Sequence, residues 1–420
     1  VSEQKIRSKV RILYITNIIL SVSSLLTYIL TLFHAVWYMP NKIWVWICWA
    51  PVPSYVVFII SCFMLAQIVF SFITLKKKYR HLIKHQMFSI LSTLFSVSLA
   101  LIILIQIPGN WGPLIVPQSH GTQILLYTQQ NTTVNIIVEH MGQNMTLSTV
   151  GNVHKLNTQY NEFTLYYNNK STYYSTKKIS NFTFISDVHN SFYINKLKDF
   201  PTDLVVSGGD NTNEGTRMNM FQVFSKYPIE TPFITAMGNH DCRPKFKEYF
   251  TEHNHYQQID GIGFYFINLF HVWRVIITQE MVDDAFKFIH ENDNPTDEIK
   301  VIVSHLGAYT LNDNAETIYF STKLEEFLDG HPQFKYVLGG HSHSFRIFKR
   351  NGVKLIMSSA LGTKCEDFQL ERFQREKRYG IEHITKWLEY TMTIIRFVRD
   401  GNEFRIQVYD SDTMEKVYEE

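Results

Sequence analysis

Three long stretches without a charged residue constrain this chain more than any other feature of its sequence. Thirty residues separate Arg11 from Lys42, thirty-three separate Lys42 from Lys76, and a third uncharged stretch begins after Lys84. About 20 apolar residues are enough to cross the hydrocarbon core of a bilayer. Helices buried in a soluble protein would carry charges along an outer stripe every three or four positions. These stretches carry none, so the sequence predicts three transmembrane helices.

The predicted spans follow a short tail of residues 1–11 and make up an anchor of residues 12–107. We place them near Ile12–Phe33, Tyr55–Leu75 and Gln86–Ile107. Nine Lys and Arg residues lie in the tail and in the loop between the second and third spans. Basic loops of this kind stay in the cytoplasm. The N-terminus is therefore predicted to be cytoplasmic, and everything after Ile107 to be extracellular or lumenal.

The charge of the chain also changes at the end of the third predicted span. Residues 1–107 hold ten Lys and Arg and one acid, for a net charge of +9, whereas the remaining residues hold thirty against thirty-seven, for −7. A nucleic-acid-binding surface needs clustered basic residues on the folded part. That part is acidic here, so the composition excludes a nucleic-acid partner.

Two weaker features concern the compartment and the covalent state of the globular part. Four glycosylation sequons follow the third span, at Asn131, Asn144, Asn169 and Asn181, and they favour a glycoprotein of the secretory route. Cys242 and Cys365 could form a disulfide or remain as two free thiols. The sequence leaves this choice open, and it does not determine the oligomeric state.

Residues 112–178 consist of short β-type runs separated by turn signals. The runs are Gln123–Thr128, Val134–Glu139, Met145–Val150, Phe163–Tyr167 and Ser171–Ser175. They predict a small antiparallel β-sandwich that acts as a spacer between the bilayer and the next domain. His120, His140 and His154 are interpreted as ordinary polar residues of this spacer.

The pattern changes in residues 180–420, where apolar β-type runs end in polar clusters. The runs are Phe182–Ser186, Leu204–Ser207, Phe233–Ala236, Val301–Ser304 and Tyr336–Leu338. Helical stretches at Met281–His290 and Thr322–Leu328 lie between some of them. The pattern is typical of an α/β domain with layered mixed sheets flanked by helices. Ligands of such domains bind at the carboxyl ends of the strands.

Each of these five strand ends carries a residue that can bind a metal ion. The clusters are Asp187-Val188-His189, Gly209-Asp210, Gly238-Asn239-His240-Asp241, His305 and Gly340-His341-Ser342-His343. Carboxylate, imidazole and amide oxygen are ligands for Zn, Mn or Fe, and the clusters contain no Cys of a structural zinc site. Gly209, Gly238 and Gly340 are predicted to let the backbone turn tightly beside the ions.

The five clusters, in this order, resemble the signature of the calcineurin-like metallophosphoesterases: Asp-x-His, Gly-Asp, Gly-Asn-His-Asp/Glu, a single His and Gly-His-x-His. The resemblance covers about residues 180–412. The preceding β-domain is weakly similar to the domain in front of the catalytic domain of purple acid phosphatases. The resemblance implies a membrane-anchored enzyme that hydrolyses a phosphate mono- or diester with two metal ions of Mn, Zn or Fe.

The resemblance also assigns roles to individual residues. It implies one metal at Asp187, His189, Asp210 and His343, and a second at Asp210, Asn239, His305 and His341. It further implies that His240 is the catalytic acid and that Asp241 orients it. Purple acid phosphatases carry a tyrosine three residues after the bridging aspartate, where this chain has Asn213, so a tyrosinate-bound ferric ion is not expected. Arg243 is interpreted as an exposed surface residue and not as a phosphate clamp.

Two other functions remain as alternatives to the phosphoesterase. A non-catalytic membrane receptor or scaffold could keep the fold, but such a protein would usually lack a ligand or the catalytic histidine, and none is missing. A channel or transporter is not favoured, because the predicted spans contain no acidic residue and only His34 near an end. The sequence does not identify the leaving group of the substrate.

Overall fold

The computed structural model describes residues 109–420, apart from residues 190, 214, 229, 271–276, 310–314, 362–381 and 389–390. The tail of residues 1–11, predicted to be cytoplasmic, and the three predicted spans lie outside the described residues. Within the described part of the chain, no helix is long and apolar enough to cross a membrane. The anchor and its orientation therefore stay predictions.

The first five strands form an antiparallel sheet. They are β1 (Trp111–Gln118), β2 (Gly121–His140), β3 (Gln143–Thr158), β4 (Glu162–Tyr167) and β5 (Lys170–Ser175). The pairing of β2 with β3 shifts register between Tyr127 and Thr132. Buried residues from both sides of this shift, such as Leu126 and Ile136, belong to one apolar cluster. The antiparallel pairing of the spacer is confirmed, whereas the second sheet of a sandwich is not confirmed.

Two larger sheets follow. Their strands are β6 (Asn181–Ile185), β7 (Val205–Ser207), β8 (Phe233–Thr235), β9 (His255–Ile259), β10 (Ile262–Ile267), β11 (Ile299–Leu306), β12 (Phe334–Gly340), β13 (Arg346–Arg350), β14 (Val353–Met357), β15 (Glu382–His383), β16 (Thr393–Asp400), β17 (Glu403–Asp410) and β18 (Lys416–Glu419). The six-stranded sheet has the order β18-β17-β16-β6-β7-β8, and the seven-stranded sheet has the order β15-β13-β14-β12-β11-β10-β9. Strands β6, β7 and β8 are parallel to one another, and so are β10, β11 and β12.

Four α-helices of the described chain connect these strands. They are α1 (Arg217–Phe224), α2 (Pro244–Lys247), α3 (Gln279–Glu291) and α4 (Ala315–Gly330), and 3-10 turns lie at Phe192–Asp199 and Lys386–Leu388. Helix α3 begins at Thr278, whose side chain accepts a hydrogen bond from the Met281 N–H. Phe286 of α3 contacts Phe320 of α4 at 5.9 Å between ring centroids. The two helices thus pack together beside the seven-stranded sheet, where Phe327 of α4 lies 5.2 Å from Phe334 of β12.

Aromatic rings hold the two large sheets face to face. Phe182 of β6 meets Phe264 of β10 edge-on at 5.4 Å, and Tyr336 of β12 lies 6.1 Å from Phe397 of β16. All four rings are buried. Such pairs contribute about 0.5–1.5 kcal/mol each beyond the burial of their area. The parallel strands of both sheets are thereby fixed as adjacent layers.

The antiparallel sheet packs on this α/β core through β1. The Trp111 ring lies 5.2 Å from Phe224 of α1 and 4.9 Å from Tyr249, which follows α2. The sheet is therefore attached to the same segments that surround strand β8.

The structure confirms the α/β character of residues 180–420, because the five predicted strand runs coincide with β6, β7, β8, β11 and β12 and the two helical stretches with α3 and α4. The four sequons differ in exposure. Asn181 is buried in β6 and its amide nitrogen donates to Asp203 Oδ2 at 3.2 Å, whereas the other three asparagines are exposed. Cys242 is a buried free thiol, and Cys365 lies outside the described residues.

Candidate metal centre

The polar clusters meet at the carboxyl ends of parallel strands from both large sheets. Asp187 and His189 follow β6, Asp210 follows β7, Asn239, His240 and Asp241 follow β8, His305 lies near the end of β11, and His341 and His343 follow β12. The two sheets are packed face to face, so these strand ends share one edge of the domain. The structure therefore brings together all nine residues that the sequence predicted for the site.

Two carboxylates lie at the centre of the cluster. Asp210 Oδ2 lies 3.3 Å from His305 Nε2 and 3.8 Å from His189 Nε2. Asp187 Oδ1 lies 3.3 Å from His343 Nε2. Three overlapping groups of residues could each hold a metal ion, because the ligand atoms within each group all lie within 4.8 Å of one another. The groups are Asp187 with His189 and His343, His189 with Asp210 and His240, and Asp187 with Asp210 and His305.

The remaining two predicted ligands lie on the His305 side of the cluster. Asn239 Oδ1 is 3.1 Å from His305 Nε2. The His341 ring is 5.1 Å from the His305 ring, and its backbone N–H donates to Asp187 Oδ2 at 3.0 Å. Phe270 packs against both imidazoles, at 5.4 Å and 5.5 Å between centroids. The Phe270 ring therefore forms an apolar wall beside His305 and His341.

Hydrogen bonds fix which ring nitrogen of three histidines faces the centre. His305 Nδ1 lies 2.8 Å from the carbonyl oxygen of Gly208. His189 Nδ1 lies 3.1 Å from Asn213 Oδ1, and His240 Nδ1 lies 2.7 Å from the Asn213 carbonyl oxygen. A carbonyl oxygen can only accept, so each Nδ1 carries a proton. Each ring, when it is neutral, then presents the lone pair of its Nε2 to the centre.

These lone pairs are directed at atoms that also cannot donate. Asp210 Oδ2 and Asn239 Oδ1 are acceptors, and Asp187 Oδ1 is buried and receives no hydrogen bond from the described residues. A buried acceptor without a donor is costly, and several acceptors that converge repel one another. A bound cation would satisfy all of them at once. The donor set therefore fits the metal ions that the family resemblance implies.

The charges of the centre shift the pKa values of its members. Burial opposes ionisation of Asp210 and Asp187, yet His305 beside the first and His343 beside the second hold both pKa values below their usual range. Burial alone would lower the pKa of His305, but the Asp210 carboxylate raises it to about 9. Burial lowers the pKa of His341 to about 4. Both carboxylates are thus charged, and His341 is neutral, at physiological pH.

Five residues of the centre share an uncommon left-handed backbone conformation. Their φ angles are 53° for Asp187, 48° for His189, 51° for Asp210, 72° for His341 and 47° for His343. Non-glycine residues rarely adopt this conformation, which costs of order 1–3 kcal/mol at each position. The clustering of these angles at the strand ends shows that the fold holds the side chains of the centre in a strained arrangement.

The three glycines of the motifs have different reasons for being glycine. Gly209 has a φ of +95°, which confirms the predicted tight turn. A Cβ on Gly238 would lie 2.0 Å from Asp210 Oδ1, and one on Gly340 would lie 1.9 Å from the Ser186 hydroxyl oxygen. These two glycines are therefore required for the close approach of the backbone to polar side chains, and not for a turn.

Asp241 was predicted to orient His240, and the described contacts connect the two residues indirectly. Its buried carboxylate accepts hydrogen bonds from the Asn211 N–H at 3.0 Å and from the Thr212 N–H and hydroxyl at 3.0 Å and 2.8 Å. It thereby fixes the loop whose next residue, Asn213, contacts His240 Nδ1. In the described contacts, Asp241 is connected to His240 through this loop.

Two further residues were not predicted to belong to the site or its support. Asn213 contacts both His189 and His240, and its position three residues after Asp210 is the only sequence signal for this role. The interpretation of Arg243 as exposed is wrong, because its side chain is only 2% exposed. It packs under Gly215, where an added Cβ would lie 2.7 Å from Arg243 Cβ. Burial lowers the Arg243 pKa to about 9.

Comparison with known proteins identifies the α/β part. Residues 180–345 match the family model of the calcineurin-like phosphoesterases. The matched residues include all five polar clusters and the strands that carry them. This part of the chain is therefore similar to the calcineurin-like phosphoesterases. No curated protein matches the chain.

Solved structures with a detectable likeness to the chain share little sequence with it. GAP50, the anchor in the inner membrane complex of Plasmodium, is 10% identical over 58% of this chain and 88% of its own, with a TM-score of 0.42. A predicted phosphoesterase from Streptococcus pneumoniae is 11% identical over 58% and 97%, with a TM-score of 0.31. A putative 5'-nucleotidase from Staphylococcus aureus, in complex with alpha-ketoglutarate, is 12% identical over 55% and 52%, with a TM-score of 0.32. Scores this low carry no conclusion about the function of this chain.

Proposed function

We propose that the chain is a metal-dependent phosphoesterase that hydrolyses a phosphate mono- or diester at a dinuclear centre. The observation that carries the proposal is the convergence of acceptor atoms on Asp210 and Asp187. The Nε2 atoms of His189 and His305 lie 3.8 Å and 3.3 Å from Asp210 Oδ2. Asp187 Oδ1 is buried, lies 3.3 Å from His343 Nε2 and has no well-aligned hydrogen bond among the described residues. The family match supports a phosphate ester as substrate.

The geometry supports a division of the ligands into two sets that share Asp210. One ion would be held by Asp187, His189, Asp210 and His343, and the other by Asp210, Asn239, His305 and His341. Seven ligands with a shared carboxylate fit two sites and are too many for one tetrahedral site. Nitrogen and oxygen donors without sulfur suit Mn, Zn or Fe. When bound, two such ions lower the pKa of a shared water and neutralise the phosphoryl oxygens of the substrate.

His240 is suited to handle the proton of the leaving group. Its side chain is 27% exposed, whereas those of His189 and His305 are 4% and 0% exposed. The Asn213 carbonyl keeps a proton on Nδ1, so the atom that gains or loses a proton is Nε2. We assign to this atom the donation of a proton to the departing ester oxygen.

We expect two metal ions per chain in active protein that is purified without a chelator. Elemental analysis gives the number, and a panel of phosphomonoesters and phosphodiesters measures activity before and after chelation and after addition of Mn or Zn. Reproducible activity with one ion or none would contradict the dinuclear assignment. Fully loaded protein that hydrolyses no member of the panel would instead favour the receptor or scaffold.

The location of the centre is part of the same proposal: an integral membrane protein of three spans, with the phosphoesterase domain extracellular or lumenal. The excess of Lys and Arg on the two predicted inner flanks supports it. In sealed right-side-out surface vesicles, added protease is expected to spare the loop at Lys76–Lys84. In sealed organelles, whose cytoplasmic face is outward, it should instead cut that loop and spare the catalytic domain. A catalytic domain on the outer side of surface vesicles should be digested without detergent. Protection of that domain in right-side-out surface vesicles, or its digestion in sealed organelles without detergent, would contradict the orientation.

A further inference from the structure

A cavity of about 430 Å³ lies between the antiparallel sheet and the α/β core. Strands β1, β2 and β3 form one wall, and β8, β9 and the segment after α2 form the other. None of the nine residues of the candidate metal centre is among the described residues that line it. The volume is within the range of about 300–1,000 Å³ that is usual for small-molecule sites. The cavity is therefore a second place at which a ligand could bind.

Two buried polar groups in the wall of this cavity have no partner among the described residues. They are the Tyr249 hydroxyl and Gln257 Oε1, and the two side chains are buried, with 3% and 6% of their residue surface exposed. Nearly all buried polar groups of proteins are hydrogen-bonded. An unpaired hydroxyl and an unpaired amide oxygen in one cavity indicate an occupant that offers both an acceptor and a donor.

Both groups are held in place before any ligand binds. The Tyr249 ring lies 4.9 Å from the Trp111 ring, and Gln257 belongs to β9, where it is paired with Phe264 of β10. Burial raises the pKa of the Tyr249 phenol, so the hydroxyl remains a donor. A preformed donor and acceptor lose little entropy when a ligand binds.

The charges that line the cavity indicate the chemical class of the occupant. Lys155 of β3 and Lys247 of α2 line it, and no acidic side chain does among the described residues. Lys247 pairs with Glu252 outside this lining set. Lys155 has no ion pair within the described part of the chain. Burial lowers its pKa, and the charge of Glu248 acts in the opposite direction. An ammonium group in the cavity lining that forms no ion pair can hold an anion through charge-assisted hydrogen bonds.

We propose that this cavity binds a small oxyanionic molecule, one with a phosphate or carboxylate group and at least one hydroxyl or N–H. The anionic group would contact Lys155 and accept from the Tyr249 hydroxyl. The hydroxyl or N–H would donate to Gln257 Oε1. This proposal does not depend on catalysis at the metal centre, because the two sites share no residue.

The test measures anion binding to the full 420-residue chain after its metal is removed by a chelator. Titration calorimetry and thermal unfolding with inorganic phosphate and with citrate separate a phosphate site from a carboxylate site. We expect one of the two probes to bind and to raise the unfolding temperature. Tyr249→Phe should weaken that binding about tenfold, the value of one hydrogen bond to a charged group. It should leave the unfolding temperature without probe unchanged or higher, because the deleted hydroxyl has no protein partner.

Two further variants keep the test decisive if Tyr249→Phe disturbs the packing on Trp111. Gln257→Met removes the amide at similar volume, and Lys155→Met removes the charge at the mouth of the cavity. Both should weaken binding of the same probe by at least as much. Lys198→Met removes an exposed lysine elsewhere and should have no effect. If neither phosphate nor citrate binds, the proposal is overturned. It is also overturned if the cavity variants bind the probe as well as Lys198→Met does, because the probe then binds outside the cavity.

Discussion

Replacing Asp210 with asparagine is expected to reduce phosphoesterase activity to background and to remove most of the bound metal. Asp210 Oδ2 is the atom on which the Nε2 atoms of His305, His189 and His240 converge, at 3.3, 3.8 and 4.0 Å. The amide keeps the shape of the side chain and can still accept the hydrogen bond from the His240 N–H, at 2.8 Å. It loses the negative charge that both ions would share. The metal content should therefore fall from about two ions per chain to fewer than one.

A matched control for this variant is Asp297→Asn. Asp297 is also buried, and its carboxylate accepts from the Tyr256 and Tyr265 hydroxyls at 2.7 Å and 2.6 Å. It precedes β11, at the opposite end from His305, so the control should lower stability and leave the metal content unchanged. Elemental analysis and thermal unfolding of both variants separate loss of ligand from loss of fold. Full metal and full activity in Asp210→Asn would refute the shared-ligand role.

The positions of the strand ends could be predicted because each one has a local signal. In β6 and β7, short apolar runs are followed by Asp187 and by Gly208-Gly209-Asp210, and the change from apolar to polar residues marks the end of each buried parallel strand. The order of the clusters then matched a known signature. Assembly of the centre follows from the general rule that ligands bind at the carboxyl ends of strands, so no tertiary contact had to be known in advance.

The support of the centre could not be predicted in the same way, since it depends on contacts between segments distant in sequence. The requirement for glycine at position 238 arises because Asp210 Oδ1 occupies the space of a Cβ. The contacts of Asn213 with His189 and His240 depend on the left-handed turn at Asp210. Arg243 was interpreted as an exposed surface residue, but it is buried and packs against Gly215. None of these contacts has a periodic or compositional signal.

Strand β2 shows a second limit of pattern analysis. The sequence predicted two separate runs, Gln123–Thr128 and Val134–Glu139, because the turn signal Gln130-Asn131 lies between them. In the structure β2 continues from Gly121 to His140, although residues 129–133 are exposed. Backbone hydrogen bonds to β3 resume after the register shift. Pairing of the backbone needs no apolar side chain, so an exposed part of a strand gives no sequence signal.

Replacing His240 with alanine is expected to leave the metal content unchanged and to reduce turnover by about 10²- to 10⁴-fold, the usual range for a general acid or base. The Nε2 atom of His240 lies 4.0 Å from Asp210 Oδ2, farther than that of His305, and its side chain is the more exposed of the two. Removal of the ring therefore takes away a proton donor but no assigned ligand.

The size of the loss should depend on the leaving group, and this dependence separates acid catalysis from a structural effect. An alkyl phosphate has a poor leaving group that needs a proton, so its hydrolysis should be reduced most. A nitrophenyl phosphate leaves as a stable anion and should be affected much less. His290→Ala, which removes an exposed imidazole on α3, should change neither rate. If both esters lost activity equally in His240→Ala at full metal content, or if the alkyl ester were hydrolysed at the parental rate, the assignment of His240 Nε2 as the proton donor would be wrong.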